Sequence, residues 1–205
     1  MTRKFKVLGL APFATLAMGA VMASAASATE FTAEKYPVTY SGYSLAGAGG
    51  TLTVDGFEVK CEESTLSGEA QQASTTVTLS PTFSQCTAFG LSSSVTMNGC
   101  DFLLHLGTTG GDATVDLVCP AGKDVTIDAG GGACVSHIPS FTGKAKVALS
   151  NVHPNIEGKA TVSGIKVSLT DVSSFFCPFA GSTTVENATF SGEATVTGSS
   201  TIDIG

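Results

Sequence analysis

Apolar and polar residues alternate through most of this chain, the period-two pattern of strands that bury one face. The clearest instance runs from Cys100 to Cys119: Cys-Asp-Phe-Leu-Leu-His-Leu, the turn residues Gly-Thr-Thr-Gly-Gly-Asp, then Ala-Thr-Val-Asp-Leu-Val-Cys. Folded about the centre of that turn as a β-hairpin, it sets Phe102 opposite Leu117, Leu104 opposite Val115, Leu106 opposite Ala113 and Cys100 opposite Cys119. One face is then apolar with a disulfide at its open end. The other carries Asp101, His105, Thr114 and Asp116.

The same alternation predicts strands on both sides of this hairpin. Upstream, Phe31 to Tyr43 holds all three tyrosines, with Tyr36 and Tyr40 on one strand face. Thr51 to Val54 and Phe57 to Cys61 flank Asp55-Gly56, a two-residue hairpin signal. Thr65 to Ala70 and Ser74 to Leu79 follow; Pro81 should end the latter or mark an edge. Ser94 to Met97 then leads through Asn98-Gly99, again hairpin-turn chemistry, into the hairpin. Downstream lie Asp124 to Asp128, Cys134 to Ile138, Lys144 to Val152, Ala160 to Thr170, Thr189 to Val196 and Ser200 to Ile204. The apolar phase flips at Gly164, between Val162 and Ile165, which predicts a bulge. Phe175-Phe176-Cys177-Pro178-Phe179 reads as a buried, disulfide-anchored loop. Thr65-Leu66-Ser67-Gly68-Glu69-Ala70 and Thr189-Phe190-Ser191-Gly192-Glu193-Ala194 match in five of six positions. Their flanks do not repeat, so the echo points to two similar strands in one sheet rather than to a duplicated half. About ten to thirteen short strands fit a single antiparallel β-sandwich with Greek-key-like connections, with a barrel as the alternative.

Composition adds a compartment. Met1 to Ala28 has the layout of a secretory signal peptide: basic Arg3, Lys4 and Lys6, an apolar run from Val7 to Met22 broken by Pro12, and small residues ending at Ala25 or Ala28. That run falls short of the roughly 20 residues that span a bilayer, so no membrane span is expected after cleavage. Residues 29–205 are then a single all-β domain, secreted or held at the cell envelope. The leader takes three of the ten basic residues and none of the seventeen acids, so the mature formal charge is 7 − 17 = −10. The only arginine, Arg3, leaves with it. An acidic chain without the forked guanidinium donor is ill suited to phosphate recognition, which excludes nucleic acid as a partner. With 42% hydrophobic and 13% charged residues the chain is also too apolar for intrinsic disorder.

All six cysteines lie beyond the leader. An even count in an exported chain reads as a disulfide framework that staples the fold. Metal binding would need close pairs such as Cys-x-x-Cys, which are absent. Six cysteines allow 15 pairings and sequence alone does not select one. The hairpin register favours Cys100 with Cys119, and nearest-neighbour pairing then adds Cys61 with Cys86 and Cys134 with Cys177.

Candidate chemistry is sparse. The nucleophile-elbow pattern Gly-x-Ser-x-Gly is missing; Gly42-Tyr43-Ser44-Leu45-Ala46-Gly47 misses it by one position. His105, His137 and His153 are well spread, and any of them could meet one of the many serines in space. The hairpin register puts His105 diagonal to Asp112 and Asp116, a set that could bind a metal or work as an acid–base pair, although the outer face of a hairpin is ordinarily polar and wet. These three are the candidate metal residues; no catalytic residue and no cofactor is implied. Calcium would have to use a loop site near Asp112, Asp124 or Asp128, because no calcium-loop motif is present. A glycan platform would rest on Tyr36, Tyr40 and Tyr43, since the chain lacks tryptophan. Asn187-Ala188-Thr189 is a glycosylation sequon that matters only in a host with that machinery.

Asn98-Gly99-Cys100 with its alternating strand, Val118-Cys119-Pro120-Ala121-Gly122, and Cys134-Val135-Ser136-His137-Ile138-Pro139 together resemble uncharacterised secreted proteins of high-GC Gram-positive bacteria. The resemblance extends from about Phe31 to Val196. It implies an extracellular bacterial protein and brings no activity with it. The expectation is therefore an exported structural or interaction module at the cell surface or in the medium, its partner there left open among a protein, a glycan and calcium. A ligand-binding domain for glycan or calcium is the alternative, and a hydrolase with a non-motif active site the third reading.

Overall fold

In a computed structural model, residues 29–44, 47–109, 111–170, 177 and 183–205 are described. The expected leader, Met1 to Ala28, and most of the expected loop around Cys177 lie outside them. The described chain is all-β and antiparallel. Its strands are β1 (Phe31–Ala33), β2 (Val38–Tyr43), β3 (Gly50–Val54), β4 (Phe57–Ala70), β5 (Thr76–Ala88), β6 (Leu91–Thr96), β7 (Asp101–Leu106), β8 (Asp112–Val118), β9 (Val125–Ala129), β10 (Cys134–Ile138), β11 (Phe141–Val152), β12 (Asn155–Thr170), β13 (Thr183–Gly198) and β14 (Ile202–Ile204). Among the described residues there are fourteen strands: the strand anticipated from Phe31 to Tyr43 is divided into β1 and β2, and β1 pairs with β14 in a short ribbon of its own.

The remaining twelve strands behave as eight long ones. β6 and β7 both run antiparallel to β5, one after the other, so the turn at Asn98-Gly99 links two pieces of one long strand instead of folding a hairpin as its sequence suggested. β8 with β9, β10 with β11, and β2 with β3 continue one another in the same way. Each long strand pairs with the next along the chain, and β13 returns to pair with β2 and β3. The result is a sandwich-like structure whose edges are joined into one hydrogen-bonded circuit, enclosing an apolar interior.

Local sequence accounts for the irregularities. β4 runs unbroken where two strands were anticipated, because its apolar phase shifts between Cys61 and Ser64 while β5 shifts opposite it, through Gln85 at φ 52°. Pro81 does not end β5. Between Leu79 and Cys86 that strand has a ladder partner only on the β4 side, so a residue without an N–H is tolerated there. The bulge anticipated at Gly164 is present: the β12–β13 register shifts between Val162 and Ile165, and Gly164 sits at φ +67°, where a side chain would be strained.

The Cys100–Cys119 hairpin has the register read from its alternation, with Phe102 opposite Leu117, Leu104 opposite Val115 and Leu106 opposite Ala113. Disulfides join Cys100 to Cys119, Cys61 to Cys86 and Cys134 to Cys177. The first bridges two long strands where both are interrupted, at Asn98-Gly99 and at Pro120 to Asp124. The second is a cross-strand pair inside the β4–β5 ladder. Three disulfides accord with folding in an oxidising environment.

The two echo segments lie in β4 and β13, which flank the same pair of strands. β2 pairs with Thr65–Ala70 of β4 and with Thr195–Gly198 of β13; β3 pairs with Phe57–Cys61 of β4 and with Thr189–Ser191 of β13. Gly68 is a close backbone approach, since a Cβ there would stand 2.5 Å from the Thr78 carbonyl oxygen.

Candidate functional site

The interior is not filled throughout. Inward positions form rows across neighbouring strands. One row reads Leu104, Val115, Ala145, Val162, Phe190; the next reads Leu106, Ala113, Val147, Ala160, Gly192; a third reads Leu149, Gly158, Ala194. Apart from Ala145, the first row carries branched or aromatic side chains. In the others Ala160 faces Gly192 and Gly158 faces Ala194, so the wall of β12 and β13 there is almost bare backbone. Few carbons project inward, and a hollow remains.

That hollow is a cavity of about 180 Å³. Leu66, Phe83, Phe190 and Leu149 stand around it, with Leu52, Val59 and Ile165 among the other lining side chains. Phe83 and Phe190 meet edge to face across the interior, with ring centroids 6.3 Å apart. Phe190 can lie there because residue 50 is glycine: a Cβ would come within 2.8 Å of the ring. Apolar cavities of this order take up apolar guests; one of roughly 150 Å³ accommodates benzene.

One hydroxyl enters this lining. Ser64 of β4 is 8% exposed, and it is the cross-strand partner of Phe83. Its backbone is held from both sides: its N–H donates to Ser44 Oγ at 2.8 Å, and its carbonyl accepts the Ser44 N–H at 3.0 Å.

The polar candidates lie elsewhere, on the outer face. His105 Nε2 sits 3.1 Å from Asp116 Oδ2, and Asp116 Oδ1 accepts the Gly143 N–H at 2.6 Å, so this carboxylate ties β7, β8 and β11 together. Asp112 does not join them; its carboxylate accepts the Thr109 hydroxyl in the adjoining turn. His137 Nδ1 lies 3.1 Å from Asp124 Oδ1, which also accepts the Thr126 hydroxyl, while Asn98 donates to Thr126 Oγ1 and to the Asp124 carbonyl. His153 faces Asp203 at 3.5 Å, linking the β11–β12 turn to β14. Each histidine therefore clamps neighbouring segments through an aspartate.

Nor do the other anticipated sites assemble. Asp128 accepts the Gly132 N–H. Among the described residues no three His, Cys, Asp or Glu side chains converge as a metal site would require. The tyrosines do not form one platform: Tyr40 points inward at 4% exposure, while Tyr43, on the opposite face of β2, is 49% exposed. The Tyr40 hydroxyl is buried with no partner, as is that of Ser93. Burial, followed by the neighbouring Tyr36, pushes the Tyr40 phenol above its usual value.

No family model, curated protein or solved structure matches this chain. Sequence reasoning missed the chamber. Its signal was small residues, Gly158, Ala160, Gly192 and Ala194, in the inward phase of two strands, where large ones would fill a core. The second half of the 65–70 echo, Gly192-Glu193-Ala194, contains two of them.

Proposed function

We propose that this chain is an exported β-sandwich working as an interaction module, and that what it takes up is a small apolar molecule held in the chamber. The observation that carries this reading is the hollow itself, walled by glycine and alanine at paired positions of β12 and β13. An unfilled interior of this size sacrifices stability that side chains of ordinary bulk would supply, at about 24 cal/mol per Å³. Such a cost is expected where the space serves binding.

Two further features support the reading. The outward positions of β4 and β12 carry Glu58, Lys60, Glu62, Glu63, Glu157, Lys159 and Lys166, a face suited to water rather than to lipid. Every strand of the large sheet has neighbours on both sides over part of its length, so strand addition by a protein partner finds little template.

The test is a titration of the oxidised protein with benzene, followed by amide chemical shifts. Saturable shifts centred on Gly158, Ala160, Gly192 and Ala194, with a dissociation constant near or below about 1 mM, are expected. An absence of saturable shifts up to the solubility of benzene would overturn the reading.

A further inference from the structure

We infer that Ser64 is the polar anchor of the chamber, and that the ligand is a small neutral molecule carrying one hydrogen-bonding oxygen on an apolar body. Alcohols, phenols, aldehydes and ketones have this chemistry. The inference rests on the chamber being a binding site, and it goes further by naming what that site selects.

Ser64 is more than nine-tenths buried and is the one hydroxyl-bearing residue among the described residues that line the chamber. Its backbone is held on both sides, since Ser44 engages its N–H and its carbonyl. A hydroxyl beside Phe83, in a wall that is otherwise hydrocarbon, can donate to a carbonyl or accept from an alcohol or phenol.

The same lining argues against a charged ligand. No lysine or histidine is among the described lining residues, and the carboxylate of Glu193 is paired outside with Lys159. A carboxylate or ammonium brought inside would meet no countercharge and would lose its hydration. Size sets the other bound. A space slightly larger than one that admits benzene suits roughly six to eight non-hydrogen atoms.

Toluene and phenol differ by a methyl in place of a hydroxyl and probe this directly. Their affinities are to be measured by amide-shift titration in the wild-type protein, in Ser64→Ala and in Ala160→Leu. Ser64→Ala is expected to weaken phenol about five-fold, as for the loss of one neutral hydrogen bond, while toluene stays within two-fold. Toluene binding thereby reports that the variant is folded with its chamber open. Unchanged phenol affinity in Ser64→Ala would overturn the role of Ser64 and leave the chamber standing. If neither compound binds the wild-type protein, or if both bind Ala160→Leu as they bind the wild type, the chamber reading falls and this inference with it.

Discussion

Replacing Ala160 by leucine should make this protein more stable and less able to bind. Ala160 faces inward on β12, opposite Val147 on one side and Gly192 on the other. The three added carbons would extend over Gly192 into the hollow of about 180 Å³. If they occupy roughly half of it, the relation of about 24 cal/mol per Å³ puts the gain near 2 kcal/mol. Urea unfolding of the oxidised protein reads this as a midpoint shift of about 1 M upward, for a slope of about 2 kcal/mol per M. The remaining space no longer admits a six-membered ring, so toluene affinity should drop at least ten-fold. Higher stability together with weaker binding would show that the space is real and that it is the space the guest occupies. A variant destabilised by about 1–3 kcal/mol, the usual cost of overpacking, would show that the space is not there to be filled and would refute the reasoning.

Three other outcomes follow from the geometry. Tyr40→Phe removes a buried hydroxyl without a partner and should stabilise by about 1 kcal/mol in the same assay. Because the folded phenol titrates above its ordinary value near 10, stability falls as pH rises past that value, where the unfolded chain gives up a proton the folded one keeps; Tyr40→Phe should flatten this alkaline decline, and an unchanged slope would speak against the burial argument. Asp116→Ala should cost about 1.5 kcal/mol and His105→Ala only about 0.5, since the carboxylate also holds the Gly143 N–H whereas the imidazole contributes one partly exposed pair; equal losses would deny Asp116 its role as a three-strand clamp. Replacing Cys100 and Cys119 together by alanine should cost about 3 kcal/mol, the chain-entropy expectation for their separation of 19 residues, checked by unfolding alongside peptide mapping of the two remaining bridges.

What could be read from the sequence was what depends on near neighbours. Alternation in Cys100 to Cys119 determined a hairpin and its register, because with a period of two a slip by one residue would turn every leucine outward. Glycine at 164, where the apolar phase flips, determined a bulge. Asp55-Gly56 and Asn98-Gly99 marked turns, and the second joins two pieces of one long strand. Two cysteine pairs follow the same logic, since Cys61 faces Cys86 across the β4–β5 ladder and Cys100 and Cys119 stand at the open end of the hairpin.

The chamber depends on something no single stretch contains. Gly158 and Ala160 are unremarkable in their own strand, and so are Gly192 and Ala194 in theirs. Only the β12–β13 register sets small against small in adjacent rows, and only the return of β13 to β2 and β3 brings Phe190 over Gly50 and opposite Phe83. Ser64 likewise looks like one more polar residue until the phase shift after Cys61 turns it inward. Closure of the circuit decides which faces meet, and that is a property of pairings far apart in the chain. The sequence by itself determined the strands, their turns and the faces they bury; the tertiary structure alone decided where those faces enclose an empty space, because an absence of atoms is shared among strands and belongs to none of them.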